Sequence, residues 1–132
     1  MIALDTNVLV RFLVEDHEAQ SKAAKRLIKK VTAADDLVFV ADIVMVETVW
    51  VLSRSYGFSK SEIVKAMHLL LSARNLKWES SDRIARVLDA FEKGRGGFAD
   101  YLVRQMGREN GCRTVATFDS KLLKEEGFVK PG

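Results

Sequence analysis

Thiols and imidazoles are nearly absent from this 132-residue chain. It has one cysteine, Cys112, and two histidines, His17 and His68. A single cysteine excludes an intrachain disulfide and fits a reducing compartment. Both histidines fall in charged or amphipathic helical stretches, so a histidine-built zinc site is not expected. Long hydrophobic runs are missing too. None reaches the length that spans a bilayer, and no basic segment with an apolar run and a cleavage site leads the chain. Internal repeats, low-complexity tracts and linkers are also lacking. The expectation is one soluble domain over residues 1–132, cytoplasmic and without membrane contact. With 48% hydrophobic and 30% charged residues, the chain has the makings of a packed core without disulfides.

The net charge is +3 and the pI about 9.1. This mild excess suits a polyanionic partner without requiring one. Lys22, Lys25, Arg26, Lys29 and Lys30 crowd one predicted helix, where a solvated face is the plainer reading. Arg95, Arg104, Arg108 and Arg113 gather in the C-terminal third.

Residues 2–5 (IALD) read as a short buried strand. Asn7 to Val14 read as a helix, and Asp16 to about Val31 as a second, charged one. The β-branched run LVFVAD (37–42) reads as a strand. Asp42 is expected to cap the apolar helix that follows, which Gly57 closes. Ser59, with Glu62 three residues on, makes a capping-box pattern. LKWE is a short strand, and Ser80 or Ser81 starts a helix running to Lys93. The GRGG stretch (94–97) is a flexible break before the helix FADYLVRQMGREN, which ends near Gly111. RTVAT (113–117) is a strand, SKLLKEEG a short helix and FVK (128–130) a last edge strand. Strands joined through helices imply an α/β fold with a mostly parallel sheet and helices on both faces. Ligands in such folds sit beyond the carboxyl ends of the strands. Asp5 and Asp119 lie at such ends.

Four acids stand out. Glu47 is the only charge between Asp42 and Arg54, with Ile43, Val44, Trp50 and Val51 at helical spacing around it. A carboxylate buried among those side chains is costly unless paired or metal-bound; the alternative is a Glu at the edge of the stripe reaching solvent or Arg54. Asp100 follows the glycines in the first turn of its helix. Acids favour helix N-termini, and Arg104 stands four residues on as a possible partner. Asp5 and Asp119 are each explicable as caps. As a set, two acids at strand ends and two on adjoining helices have a further meaning if they meet at one rim of the sheet. Carboxylates crowded together repel unless cations neutralise them, and oxygen ligands without Cys or His suit Mg²⁺ or Mn²⁺.

ALDTNVLV at the start, Glu47 inside an apolar helix, GFADYL and TFDSKL, taken in order, resemble PIN-domain ribonucleases, and among these the VapC-type toxins of toxin–antitoxin pairs. The likeness runs over nearly the whole chain. It implies a three-layer α/β/α sandwich with a mostly parallel central sheet, and metal-dependent endonucleolytic cleavage of RNA. It carries Asp5, Glu47 and Asp100 over as core metal-binding acids, with Asp119 as a more variable fourth. It gives Thr6, Asn7 and Thr117 supporting polar roles. It further implies a cognate antitoxin and a toxin homodimer.

On this expectation Asp5 and Asp100 are the main ligands of Mg²⁺ or Mn²⁺. Glu47 ligates directly or through water, and Asp119 holds a second ion or orients the attacking water. Arg95, Arg104 and Arg108 are candidate contacts to RNA phosphates, against plain surface charge. Trp50, Tyr56, Phe58, Met67 and Leu70 mark helices that would offer sticky surface to a protein partner, though most of them read equally as core. A haloacid-dehalogenase-like phosphatase is a competing reading, but it wants two acids one residue apart after its first strand, where this chain has Asp5 and then Asn7. A receiver domain wants an acid pair that LDTN does not supply. A non-catalytic PIN-like interaction module is the third reading.

Overall fold

The β-branched run near residue 40 becomes the centre of a parallel sheet in the computed structural model, which describes all 132 residues. Strand β2 (Val38–Val40) lies between β1 (Ile2–Ala3) and β3 (Leu76–Trp78), parallel to both. Ile2 pairs with Val38, and Val40 with Trp78. Val38 and Val40 are fully buried, as a central parallel strand covered by helices requires. Each such side chain contributes roughly 1.5–3 kcal/mol by leaving water.

Parallel neighbours need long crossovers. Each crossover here carries two helices, as the helical stretches read from the sequence lead one to expect. Helices α1 (Thr6–Leu13) and α2 (Glu18–Ala33) join β1 to β2; α3 (Asp42–Arg54) and α4 (Lys60–Leu71) join β2 to β3. Helix α1 packs on α2 and α3, and α3 on α4. Leu9, Met45, Leu52 and Met67 are buried there with essentially no exposed surface. These elements make up one compact unit, Met1–Ser81.

A second compact unit spans Asp82–Gly132. It holds α5 (Ser81–Lys93, starting one residue earlier), α6 (Phe98–Glu109), β4 (Val115–Ala116), a 3-10 turn at Leu122–Lys124 and β5 (Phe128–Val129). Strands β4 and β5 form their own two-stranded parallel sheet. Arg83 on α5 grips Glu109 on α6 through two parallel hydrogen bonds of 2.9 and 2.8 Å, the planar fork that guanidinium and carboxylate share. That pairing holds the Glu109 carboxyl below its ordinary range.

Several local expectations change. The strands are shorter than their apolar runs, because pairing, not composition, sets their ends. Leu4 N–H still reaches Phe39 C=O at 3.0 Å, so the first ladder continues almost to Asp5. Asp42 is not the cap of α3 but its first residue; Ala41 occupies the cap, and the Asp42 N–H is bound by the Glu79 carboxylate at 2.7 Å. The segment after Asp119 closes as a 3-10 turn rather than a helix. The capping box of Ser59 and Glu62 forms as the spacing predicts, and its hydrogen bonds hold the Glu62 carboxyl below its ordinary range. Gly57 and Gly111 adopt φ of 66° and 87° after their helices, a conformation that costs a β-carbon and so suits glycine. No helix is long and apolar enough to cross a membrane.

Candidate active site

Leu4 is the last ladder residue of the first strand, and the chain then turns into α1. Asp5 occupies the cap of that helix, its Oδ1 accepting from Thr6 N–H at 2.8 Å. The buried Thr6 turns its hydroxyl the other way and donates to Glu47 Oε2 at 2.9 Å. This bond joins residues 41 positions apart. Asp5 and Glu47 thereby line one cleft of about 310 Å³, together with Thr6, Asn7, Arg11 and Tyr56.

Glu47 is not buried, contrary to the cost argument from its apolar neighbours. Val44 is buried, but Ile43 and Trp50 are 65% and 60% exposed, so this face of α3 is open. Nor does Glu47 pair with Arg54; its tether is the Thr6 hydroxyl.

The wall of the cleft beside these acids carries a network that sequence reasoning missed. Arg11 Nη1 donates to Asp16 at 3.0 Å and to the Tyr56 hydroxyl at 2.8 Å, and that hydroxyl donates to the other Asp16 oxygen at 2.8 Å. The Tyr56 hydrogen bond, followed by Arg11, holds the Asp16 carboxyl below its ordinary range. Two of these residues lie in a helix and a turn that show no motif, so only their meeting reveals them.

In the C-terminal unit, Asp100 and Asp119 are each held within their own segment. Asp100 Oδ2 accepts from Gly97 N–H at 2.8 Å, closing the first turn of α6. The ion pair with Arg104 that the spacing allows does not form. The Arg104 guanidinium lies over Tyr101 and Phe128, 5.0 and 5.3 Å from the ring centroids, and donates to Glu126 C=O. It is thus engaged inside its unit. Arg95 and Arg108 are exposed, with no ion pair. Asp119 Oδ1 accepts from Lys121 N–H at 2.9 Å, and Asp119 N–H donates to Thr117 Oγ1 at 3.0 Å.

Another unanticipated feature holds the glycine loop ahead of Asp100. The buried Tyr101 hydroxyl donates to the Glu125 carboxylate, 2.7 Å from each oxygen, and accepts from Gly96 N–H at 2.9 Å. Arg95 N–H also reaches Glu125, at 3.2 Å. Burial, with the Glu125 carboxylate next, pushes the Tyr101 hydroxyl up to about 12. A β-carbon at Gly94 would sit 1.9 Å from that hydroxyl, and one at Gly96 2.6 Å from Leu122. The glycines read as a flexible break are therefore required by close packing. Each glycine was visible in the sequence; the ring against it was not.

One pattern unites the four acids. Asp5, Glu47, Asp100 and Asp119 each commit one carboxylate oxygen to one hydrogen bond, and none is in an ion pair. Their second oxygens carry no protein partner. Asp16, Glu109 and Glu125 instead spend both oxygens on protein donors. Within neither unit do three His, Cys, Asp or Glu side chains gather closely enough to hold a metal ion; the N-terminal unit brings two acids to one cleft. Anchored, uncompensated oxygen donors fit a hard divalent cation such as Mg²⁺ in chemistry.

Of the candidate docking residues, Met67 and Leu70 are buried core and give no surface. Tyr56 and Phe58 are half-buried against one another, and Trp50 is exposed. On α2, Lys22 and Lys25 are paired with Glu18 and Glu15, which supports the plainer reading of that basic group.

The PIN domain family model matches residues 2–126, which takes in both units. The chain is similar to a VapC ribonuclease of Aquifex aeolicus (strain VF5), 24% identical over 128 residues, covering 97% of this chain and 93% of that one. Among solved structures it is similar to VapC20 of Mycobacterium tuberculosis, described as a toxin cleaving the sarcin–ricin loop. The identity is 19%, with 99% and 100% of the two chains covered and a TM-score of 0.44.

Proposed function

This chain belongs to the PIN domain family, and from that premise we propose that it is a Mg²⁺-dependent endoribonuclease, the toxin of a toxin–antitoxin pair. The observation that carries the reading is the shared state of Asp5, Glu47, Asp100 and Asp119. Each has one oxygen fixed by a local hydrogen bond and one oxygen without a protein partner, and no cation neutralises it. The similarity to a VapC ribonuclease supports RNA as the substrate.

In this proposal the four acids are the metal-binding residues. Asp5 and Asp100 are the principal ligands, Glu47 ligates directly or through water, and Asp119 completes the set. Bound Mg²⁺, or Mn²⁺, supplies Lewis-acid polarisation of the phosphate and a lowered pKa for water. The chain's own residues do the rest. Thr6 holds the Glu47 carboxylate toward the Asp5 cleft, and Asn7 adds an amide to its lining. Thr117 steadies the turn that presents Asp119. Arg95 and Arg108, exposed and unpaired, neutralise RNA phosphates. Arg104 braces the unit rather than the substrate. The protein works in the cytoplasm as a homodimer restrained by its antitoxin, and the exposed Ile43 and Trp50 flanking Glu47 are where that partner covers the cleft.

The test is a cleavage assay on structured and single-stranded RNA with Mg²⁺, Mn²⁺ or EDTA. Cleavage with either metal that stops in EDTA is expected. Full activity in excess chelator overturns the metal mechanism. No cleavage of any RNA, from protein that binds its partner normally, favours a non-catalytic module. Expression without the antitoxin is expected to arrest growth, and Asp5→Asn to relieve the arrest.

A further inference from the structure

Phe118 is the most exposed large hydrophobic side chain in the protein, at 88% of its free surface. It stands immediately before Asp119, and its ring meets no other ring or cation of the chain. Leaving a phenylalanine in water forgoes roughly 1.5–3 kcal/mol of burial. The backbone on both sides holds it there. Thr117 N–H continues the β4–β5 ladder to Val129 C=O at 2.9 Å. Asp119 N–H then closes on Thr117 Oγ1 at 3.0 Å, and Lys121 N–H on Asp119 Oδ1 at 2.9 Å. The ring projects from a hydrogen-bonded turn, not from a loose loop.

Its surroundings indicate what it meets. Protein-docking surfaces are contiguous apolar patches of several hundred Å². The chain neighbours of Phe118, namely Thr117, Asp119, Ser120 and Lys121, are instead polar or charged. A lone flat ring in a polar setting matches one planar ligand that has polar edges. Unpaired nucleobases are such ligands, and exposed aromatic rings are how proteins take them.

We propose that Phe118 is a stacking platform for an unpaired base of the RNA substrate, set one residue from Asp119 so that the stacked base and that acid share one turn. The proposal deepens the nuclease reading and rests on it. The platform makes single-stranded RNA the preferred form around the cleaved bond, because a paired base has no free face. It is tolerant of base identity, since every base has a π-face.

The experiment compares wild type with Phe118→Leu, Phe118→Ala and Phe118→Trp. At 88% exposure none of these substitutions disturbs the core. A short single-stranded oligoribonucleotide and its duplex are titrated in EDTA, followed by fluorescence anisotropy, and cleavage is then measured with Mg²⁺. Phe118→Leu keeps the apolar bulk but loses the flat face. It and Phe118→Ala are expected to weaken single-strand binding and raise KM by roughly five- to a hundredfold, the range of one base stack, with kcat nearly kept. Phe118→Trp is expected to retain affinity, and its added fluorescence to be quenched by the single strand and not by the duplex. If Phe118→Leu matches wild type in affinity and KM while wild type cleaves RNA, the platform is wrong and the nuclease reading stands. Absence of quenching in Phe118→Trp while the strand still binds also overturns it. If wild type neither binds nor cleaves RNA, both readings fall together.

Discussion

The two units hold their acids in different ways. In the N-terminal unit, Asp5 and Glu47 are distant in the chain and are joined through one residue, Thr6, whose N–H binds the first and whose hydroxyl binds the second. In the C-terminal unit, Asp100 and Asp119 are each held by a backbone N–H three or two residues away. The first arrangement depends on α1 packing against α3. The second needs only a helix start and a turn. An acid fixed by tertiary packing is exposed to any change that shifts the helices. An acid fixed by its own backbone keeps its rotamer as long as the local turn survives.

The largest expected effect removes the free carboxylate oxygens themselves. Asp5→Asn and Asp100→Asn are each expected to lower kcat/KM by at least about a hundredfold, since on the proposed mechanism each deletes a charged ligand. The amide introduced by Asp100→Asn keeps an oxygen for the Gly97 N–H, so the loss of activity would not reflect a broken cap. Asp119→Asn costs less. Equal losses at Asp119 and Asp5, read in the same assay, would contradict the ranking of the fourth acid.

The tethers sharpen the comparison. Thr6→Val removes the hydroxyl that holds Glu47 while keeping the side-chain shape. It is expected to raise the Mg²⁺ concentration for half-maximal activity about tenfold, as loss of an outer-shell bond does. Thr117→Val is expected to do much less, because Asp119 keeps its bond from Lys121 N–H. A Mg²⁺ titration of both variants decides it; a larger shift for Thr117→Val would reverse the contrast.

Thermal melts give a readout without RNA. A ligand that binds only the folded state stabilises by about 2.7 kcal/mol at a hundred times its dissociation constant, a few degrees in Tm for a domain of this size. Wild type is expected to melt higher in Mg²⁺ than in EDTA, and Asp5→Asn and Asp100→Asn to lose most of that increment. An unchanged increment in either variant would remove that acid from the metal site.

The smallest effect belongs to the C-terminal clamp. Tyr101 ionises at about 12 in the folded protein against an ordinary value of 10.0. The unfolded chain therefore releases this proton first as pH rises. The contribution to stability is whole below pH 10 and is lost between about 10 and 12. Tyr101→Phe is expected to be less stable than wild type at neutral pH, having lost the Glu125 and Gly96 bonds, with the gap narrowing above pH 10. Denaturant melts at about pH 8 and about pH 11 measure the gap; a constant difference would show that the hydroxyl is not held neutral.

Helix and strand identity was legible because periodicity and caps are local. The Ser59–Glu62 box and the stops at Gly57 and Gly111 follow from residues within a few positions of one another. The four acids were legible as a series of motifs for the same reason, and three of them, Asp5, Asp100 and Asp119, turned out to be held by bonds of that short range. Burial was not legible. Glu47 sits in an apolar sequence, yet its face of α3 is open, because periodicity says which residues share a face and not which face meets a neighbour. The partners of Arg104, the Arg11–Asp16–Tyr56 wall and the close fit of Gly94 and Gly96 against Tyr101 were likewise settled only in three dimensions. The sequence by itself determined which groups carry charge and which backbone segments begin or end. The tertiary structure decided which oxygen of each acid is spent and which stays free, since a hydrogen bond across 41 residues, or a ring packed on a glycine, exists only after the chain has folded.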